Sequence, residues 1–224
     1  MCFGPSLISL LPPLLPGEWN TGHISRHPET GAPHFAEFSK TQLPSITKVW
    51  HPTRIYYLEL SLGAKVRSGI YETTDPRFEN STFLVKFARF PWEELQLEKE
   101  TEAYEWIEGH GIRPDFLGHL VEEEGRVIGF PMERVTDFRH ATPDDLVACR
   151  LALKKLHALD IKHGDVNKHN ILIRNQDGNA IIIDFDCASR VDDVDELERE
   201  LSDLEAQLSD TSGRGGRIVE SGPS

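Results

Sequence analysis

The stretch richest in chemistry is residues 161–190, IKHGDVNKHNILIRNQDGNAIIIDFDCASR. Asp165 stands in a polar loop after a short apolar run, Asn170 opens the next run, and Asp184 closes the one after that. A turn containing Asp177-Gly178 folds residues 171–174 and 180–183 into a hairpin, which brings the three oxygen-bearing side chains to one edge. Two carboxylates and an amide suit Mg²⁺, a hard cation that takes oxygen ligands and usually shares its shell with phosphate. Apolar strands ending in acids at a loop edge also occur without chemistry, so the pattern alone leaves a structural reading open.

The elements that must hold these residues are legible on both sides. Upstream, residues 54–62, 65–74 and 82–88 carry strand-type residues, and residues 116–121 and 126–135 read as two more strands joined by Glu122-Glu123-Glu124-Gly125. Between them, residues 92–108 have helical spacing at Leu95, Thr101, Tyr104 and Ile107, with Gly109 as a stop. Thr142-Pro143-Asp144-Asp145 predicts a helix start, and Leu146, Cys149, Leu153 and Leu156 give that helix a buried face to about Leu159. After Arg190, Val194, Leu197, Leu201, Leu204 and Leu208 alternate in steps of three and four, predicting a closing helix with one apolar stripe. The stripe is too short for a coiled coil. Residues 1–52, rich in Pro, Gly, Ser and His, read as an irregular arm, and residues 211–224 as a flexible tail. The spacings of His23, His27, His34 and His51 fit no tight metal site, so these read as solvated loop histidines.

Composition bounds the rest. The chain has 224 residues, 38% hydrophobic and 27% charged, which describes a soluble globular protein of one domain or one small bilobed domain with tails. The 24 Lys and Arg against 37 Asp and Glu leave a net charge of −13, which argues against an electrostatic grip on nucleic acid or an anionic membrane. Much of the excess is local: residues 192–210 hold nine acids against Arg199 alone. Cys2, Cys149 and Cys187 are odd in number and lack metal or redox spacing, which favours a reducing compartment. The apolar residues 6–16 lack a basic n-region and are broken by Pro12 and Pro13, so the chain is expected not to be secreted and to reside in the cytoplasm, with the nucleus as an alternative. No run approaches the length of a membrane span.

Residues 54–190 resemble the protein-kinase superfamily. His163-Gly164-Asp165 followed by Asn170 resembles the catalytic loop H-x-D-x-x-x-x-N, and Asp184-Phe185-Asp186 resembles the metal-binding D-F-G segment. Val85-Lys86 resembles the strand lysine that holds the α and β phosphates, and Glu100 the helix glutamate that pairs with it, with Glu98 and Glu102 as alternatives. FPMERV (130–135) is similar to the segment joining the two lobes. The chain is similar to small fungal kinase-like proteins of unassigned substrate. Its HGD and D-F-D triplets also resemble aminoglycoside and choline phosphotransferases and the small kinase of the tRNA-modifying complex.

The resemblance implies an α+β, bilobed fold: a five-stranded antiparallel N-lobe over residues 53–135 and a truncated, mainly helical C-lobe over residues 136–210. It implies ATP and Mg²⁺ as cofactors and an acceptor hydroxyl on a small molecule or a protein; from the charge balance, neither nucleic acid nor membrane is expected as a partner. Asp165 would accept the acceptor proton, and Lys168 would reach the γ-phosphate. Asn170, Asp184 and Asp186 would supply metal oxygens. Lys86, fixed by Glu100, would neutralise phosphate charge, and the backbone of Glu133 and Val135 would hold adenine beside Met132. His163 would brace the loop. Several features depart from the pattern: no G-x-G-x-x-G precedes Lys86, where only Gly63 and Gly69 stand, Asn167 replaces a lysine, Asp186 replaces a glycine, and no A-P-E follows. A phosphotransferase and a kinase-like nucleotide-binding module acting through partners are therefore both kept. A glycoside hydrolase using Asp184 and Asp186 is weaker, because carboxylates two apart on a strand would sit side by side and not flank a sugar.

Overall fold

The computed structural model describes residues 10–78, 81–122 and 125–215, in two units, Met1–Pro44 and Ser45–Ser224. Residues 6–9, Cys2, Glu123 and Glu124 of the acidic loop, and residues 216–224 of the tail lie outside the described residues. No helix among the described residues is long and apolar enough to cross a membrane.

In the first unit, β1 (Thr21–Arg26) and β2 (Pro33–Ser39) form an antiparallel hairpin where an irregular arm was expected. Nearly all its side chains are exposed, so its strands carry little of the inward and outward alternation by which sequence betrays a strand. Trp19, Phe35 and Phe38 hold it, with ring centroids 5.1 to 5.4 Å apart.

The second unit is mixed α+β and begins earlier than the arm boundary expected at residue 52. Ile46 is buried and its N–H donates to Val127 O at 3.0 Å, while the Trp50 indole donates to Thr101 O at 3.0 Å. Its main sheet comprises β3 (Arg54–Tyr56), β4 (Ser61–Arg67), β5 (Ile70–Thr74), β6 (Thr82–Phe87), β7 (His119–Val121) and β8 (Val127–Met132). Their order is β3-β7-β8-β6-β5-β4. The sheet thus has six strands where five were expected, and it is not wholly antiparallel, because β3 runs parallel to β7. The cause is local: a 3-10 turn at Tyr57–Glu59 splits residues 54–62, so the two pieces end on opposite edges. Central β8 is buried along its whole length, and on β6 Phe83 and Val85 enter the core while Lys86 faces the other way.

Helix α1 (Glu94–Trp106) packs on β8 and buries Leu97, Glu100, Ala103 and Tyr104. The rest holds α2 (Leu146–His157), α3 (Val194–Ser209) and five short strands: β9 (Phe138–His140), β10 (Ile161–Lys162), β11 (Ile171–Arg174), β12 (Ala180–Ile182) and β13 (Ser189–Arg190). Strands β12, β11 and β9 form one sheet, and β10 pairs with β13. The Thr142 N–H and hydroxyl both donate to Asp145 Oδ2 at 2.8 Å ahead of α2, as its sequence implies. Leu197, Leu204 and Leu208 of α3 are buried, whereas Val194 in its first turn is exposed.

His119 on β7 is fully buried. Its Nε2 accepts from the His51 N–H at 3.2 Å, and Nδ1 has no partner. Burial, helped by the nearby Arg54 and His51 charges, pushes its pKa down to about 4. A histidine whose native pKa lies below its unfolded value of about 6.5 adds stability above that pH, and loses it as pH falls towards 4. The melting temperature should therefore drop between about pH 6.5 and 4, and His119→Gln should make that drop shallower.

Candidate active site

Lys86 is the centre of a charge triad drawn from three elements. Its ammonium donates to Asp184 Oδ1 at 2.7 Å and lies 2.6 Å from Glu100 Oε2, the latter contact lacking hydrogen-bond geometry. Strand alternation on β6 aims the lysine away from Phe83 and Val85, and α1 lays Glu100 over it with Tyr104 one turn on. Burial opposes the charge on Lys86, yet the Glu100 and Asp184 carboxylates hold its pKa above the ordinary lysine range. Burial and the neighbouring Asp184 raise the Glu100 carboxyl against the pull of Lys86. Burial opposes ionisation of Asp184 too, but the Lys86 and Arg67 charges win and its pKa is lowered. The geometry therefore keeps a protonated lysine between two carboxylates, one of them firmly ionised.

In front of the triad opens a cavity of about 740 Å³, within the usual range for small-molecule sites. Ile70 and Leu84 line one side and Leu172 and Ile183 another, with Lys86 and Asp184 reaching into it. Met132, Glu133 and Val135 form its edge as the chain leaves β8. The Glu133 N–H is taken by Asp115 O at 2.8 Å. Among the described residues, the Glu133 carbonyl and the Val135 N–H have no backbone partner, an acceptor and a donor two residues apart on the cavity rim.

The catalytic-loop candidates are held from beneath. The His163 ring is fully buried, packs 5.2 Å from Phe185, accepts from the Asp165 N–H at Nδ1 (3.3 Å) and donates from Nε2 to Ile183 O (3.1 Å). It thus braces the loop, as the resemblance implies. Gly164 has φ 82°, and a Cβ there would stand 2.4 Å from Cys187 O, so only glycine fits. Asn167 and Asn170 both donate to Asp165 Oδ2 at 3.2 Å. Asp184 adopts a left-handed φ of 67°, a conformation that aspartate tolerates better than most residues and that turns its carboxylate towards Lys86.

Four expected site residues, Asp165, Lys168, Asn170 and Asp186, are not among those lining the main cavity. Lys168 donates to Asp210 O at 2.5 Å. Asp186 lines a smaller cavity with Gly69, Gln96 and Leu97, whose wall Lys86 and Glu100 share with the main cavity. Asp184 and Asp186 do not lie side by side on a strand, because β12 ends at Ile182 and a 3-10 turn follows at Phe185–Cys187. Among the described residues there is no group of three His, Cys, Asp or Glu side chains with metal-binding geometry. A magnesium ion carried by phosphates needs only one or two carboxylates, and the Asn170 and Asp184 oxygens are the hard donors it takes.

Glu200 was not foreseen. It reaches from α3 to accept the His163 N–H (3.1 Å) and the Gly164 N–H (2.7 Å), and it pairs with His157 Nε2 at 2.7 Å. Burial opposes its charge, but these donors win and lower its pKa. Glu200→Ala should strand two catalytic-loop amides and cost about 2 kcal/mol or more in a denaturant titration. Arg67, at the end of β4, and Lys65 also line the cavity, where the expected glycine-rich loop is missing.

The sequence profile of the lipopolysaccharide kinase (Kdo/WaaP) family matches residues 140–214, which contain the loop, the hairpin and α3. A probable bifunctional tRNA threonylcarbamoyladenosine biosynthesis protein from Methanothermobacter thermautotrophicus is 30% identical over 115 residues. That stretch covers 50% of this chain and 21% of the relative, so the match spans about a fifth of the curated protein's length. The profile match supports a kinase-type phosphotransferase.

Proposed function

We propose that this protein transfers the γ-phosphate of ATP to an acceptor hydroxyl. The observation that carries the reading is the Lys86–Glu100–Asp184 triad at the back of a nucleotide-sized cavity, with Asp165 held by Asn167 and Asn170 at its catalytic loop. Lys86 neutralises charge on the phosphates, and Glu100 keeps the lysine in place. The Glu133 carbonyl and the Val135 N–H hydrogen-bond the adenine edge, and the apolar side chains of the cavity sandwich its ring. Asp165 orients the acceptor hydroxyl and receives its proton. Asn170 and Asp184 would hold Mg²⁺, which would offset the charge of the phosphates.

The test is thermal. Saturating MgATP should raise the melting temperature by about 5 °C, the scale expected for a ligand at about a hundred times its Kd. EDTA should remove most of the shift, and Asp184→Ala should remove all of it. A wild-type protein indifferent to MgATP at millimolar concentration would sink the reading.

A further inference from the structure

The segment after α3 folds back on the catalytic loop. Asp210 stabilises the turn by accepting from the Ser212 N–H (2.8 Å) and hydroxyl (2.7 Å), and its own carbonyl accepts from Lys168 Nζ at 2.5 Å. Arg214 then donates to Asp165 Oδ1 at 2.6 Å. Gly215 lines the main cavity, where its carbonyl accepts a long 3.4 Å bond from Arg67. At Gly215, φ 74°, a Cβ would meet Asn167 Oδ1 at 2.6 Å, so the backbone lies directly on that side chain. Two asparagine amides fill Asp165 Oδ2, and the Arg214 guanidinium takes Oδ1, the oxygen left for an acceptor proton.

We propose that residues 210–215 are a built-in pseudosubstrate: they lie on the acceptor side of the catalytic loop, engage Asp165 through Arg214, and give way when an acceptor enters. The inference rests on the phosphotransfer role given to Asp165. The covered surface fits a turned peptide that places an arginine on Asp165 and passes its backbone carbonyl to Lys168. The segment's side-chain contacts fall on Asp165 and Lys168 of the catalytic loop and only Gly215 reaches the main cavity, so its main competition is with the acceptor. The Arg214–Asp165 pair is partly exposed, with side chains 53% and 30% accessible. Such pairs are weak and salt-screened, which suits a contact that must be displaced.

Two experiments decide it. ADP formation from MgATP with water as acceptor should rise about threefold to fivefold in Arg214→Ala, the change a weak surface pair allows. The synthetic peptide DTSGRG should bring that variant back towards the wild-type rate, whereas DTSGAG should not. Equal rates for wild type and Arg214→Ala, or a peptide without effect, would overturn the proposal. Independently of turnover, trypsin should cut after Arg214 several-fold faster in Asp165→Ala than in wild type. Equal cleavage rates would also overturn it. A protein that makes no ADP would count against the phosphotransfer reading, and the trypsin comparison would still decide the fate of the segment.

Discussion

Lys86→Met protein should fold and show no MgATP-dependent rise in melting temperature, where the wild type shows one of about 5 °C. The lysine ammonium stands 2.6 and 2.7 Å from Glu100 and Asp184, and removing it does two things. It deletes the cation that meets the phosphates, and it leaves two carboxylates facing each other beside the cavity. An anionic ligand entering that site would meet net repulsion, so nucleotide affinity should fall at least a hundredfold in a calorimetric titration. Without its partner, Glu100 has burial and Asp184 both favouring its protonated form, so its pKa should rise further in the apo variant. Retained MgATP binding in a folded Lys86→Met protein would remove the triad from the nucleotide site.

Asp165→Asn should separate binding from chemistry. Its carboxylate contacts Asn167, Asn170 and Arg214, and none of Lys86, Glu100 or Asp184 touches it. MgATP affinity should thus stay within about twofold, while turnover falls by a factor of about 10² to 10⁴, the range expected when a positioned proton acceptor is removed. Turnover unchanged by this substitution would assign the proton to another group. Loss of binding together with turnover would mean that the catalytic loop itself had collapsed.

Much of this site is legible in sequence because its cues are short-ranged. The hairpin of β11 and β12 follows from one Asp-Gly turn, and it carries Asn170 and Asp184 to the same edge as Asp165. The orientation of Lys86 follows from two-residue alternation, and that of Glu100 from the helical spacing around Tyr104. What was not legible depends on long-range contact. Glu200 is one of nine acids in an acidic run, and nothing in its spacing distinguishes it from a solvated face; only the packing of α3 places it 36 residues away against Gly164. Arg214 sits in a Gly- and Ser-rich stretch that reads as a loose tail, yet it meets Asp165 across 49 residues. Asp184 and Asp186 do not share a strand face, since β12 ends before both of them. The split of residues 54–62 into β3 and β4 was hidden because both pieces carry the same strand-type composition and no Gly or Pro marks the 3-10 turn.

The most direct test of the account is the formation of ADP from saturating MgATP by the wild-type protein and by Asp165→Asn side by side, with binding of MgATP measured on the same samples. The account predicts that both proteins bind with similar affinity and that only the wild type makes ADP. Saturable binding with no ADP from either protein, even with cell extract supplied as acceptor, would contradict it and leave a nucleotide-binding module in its place.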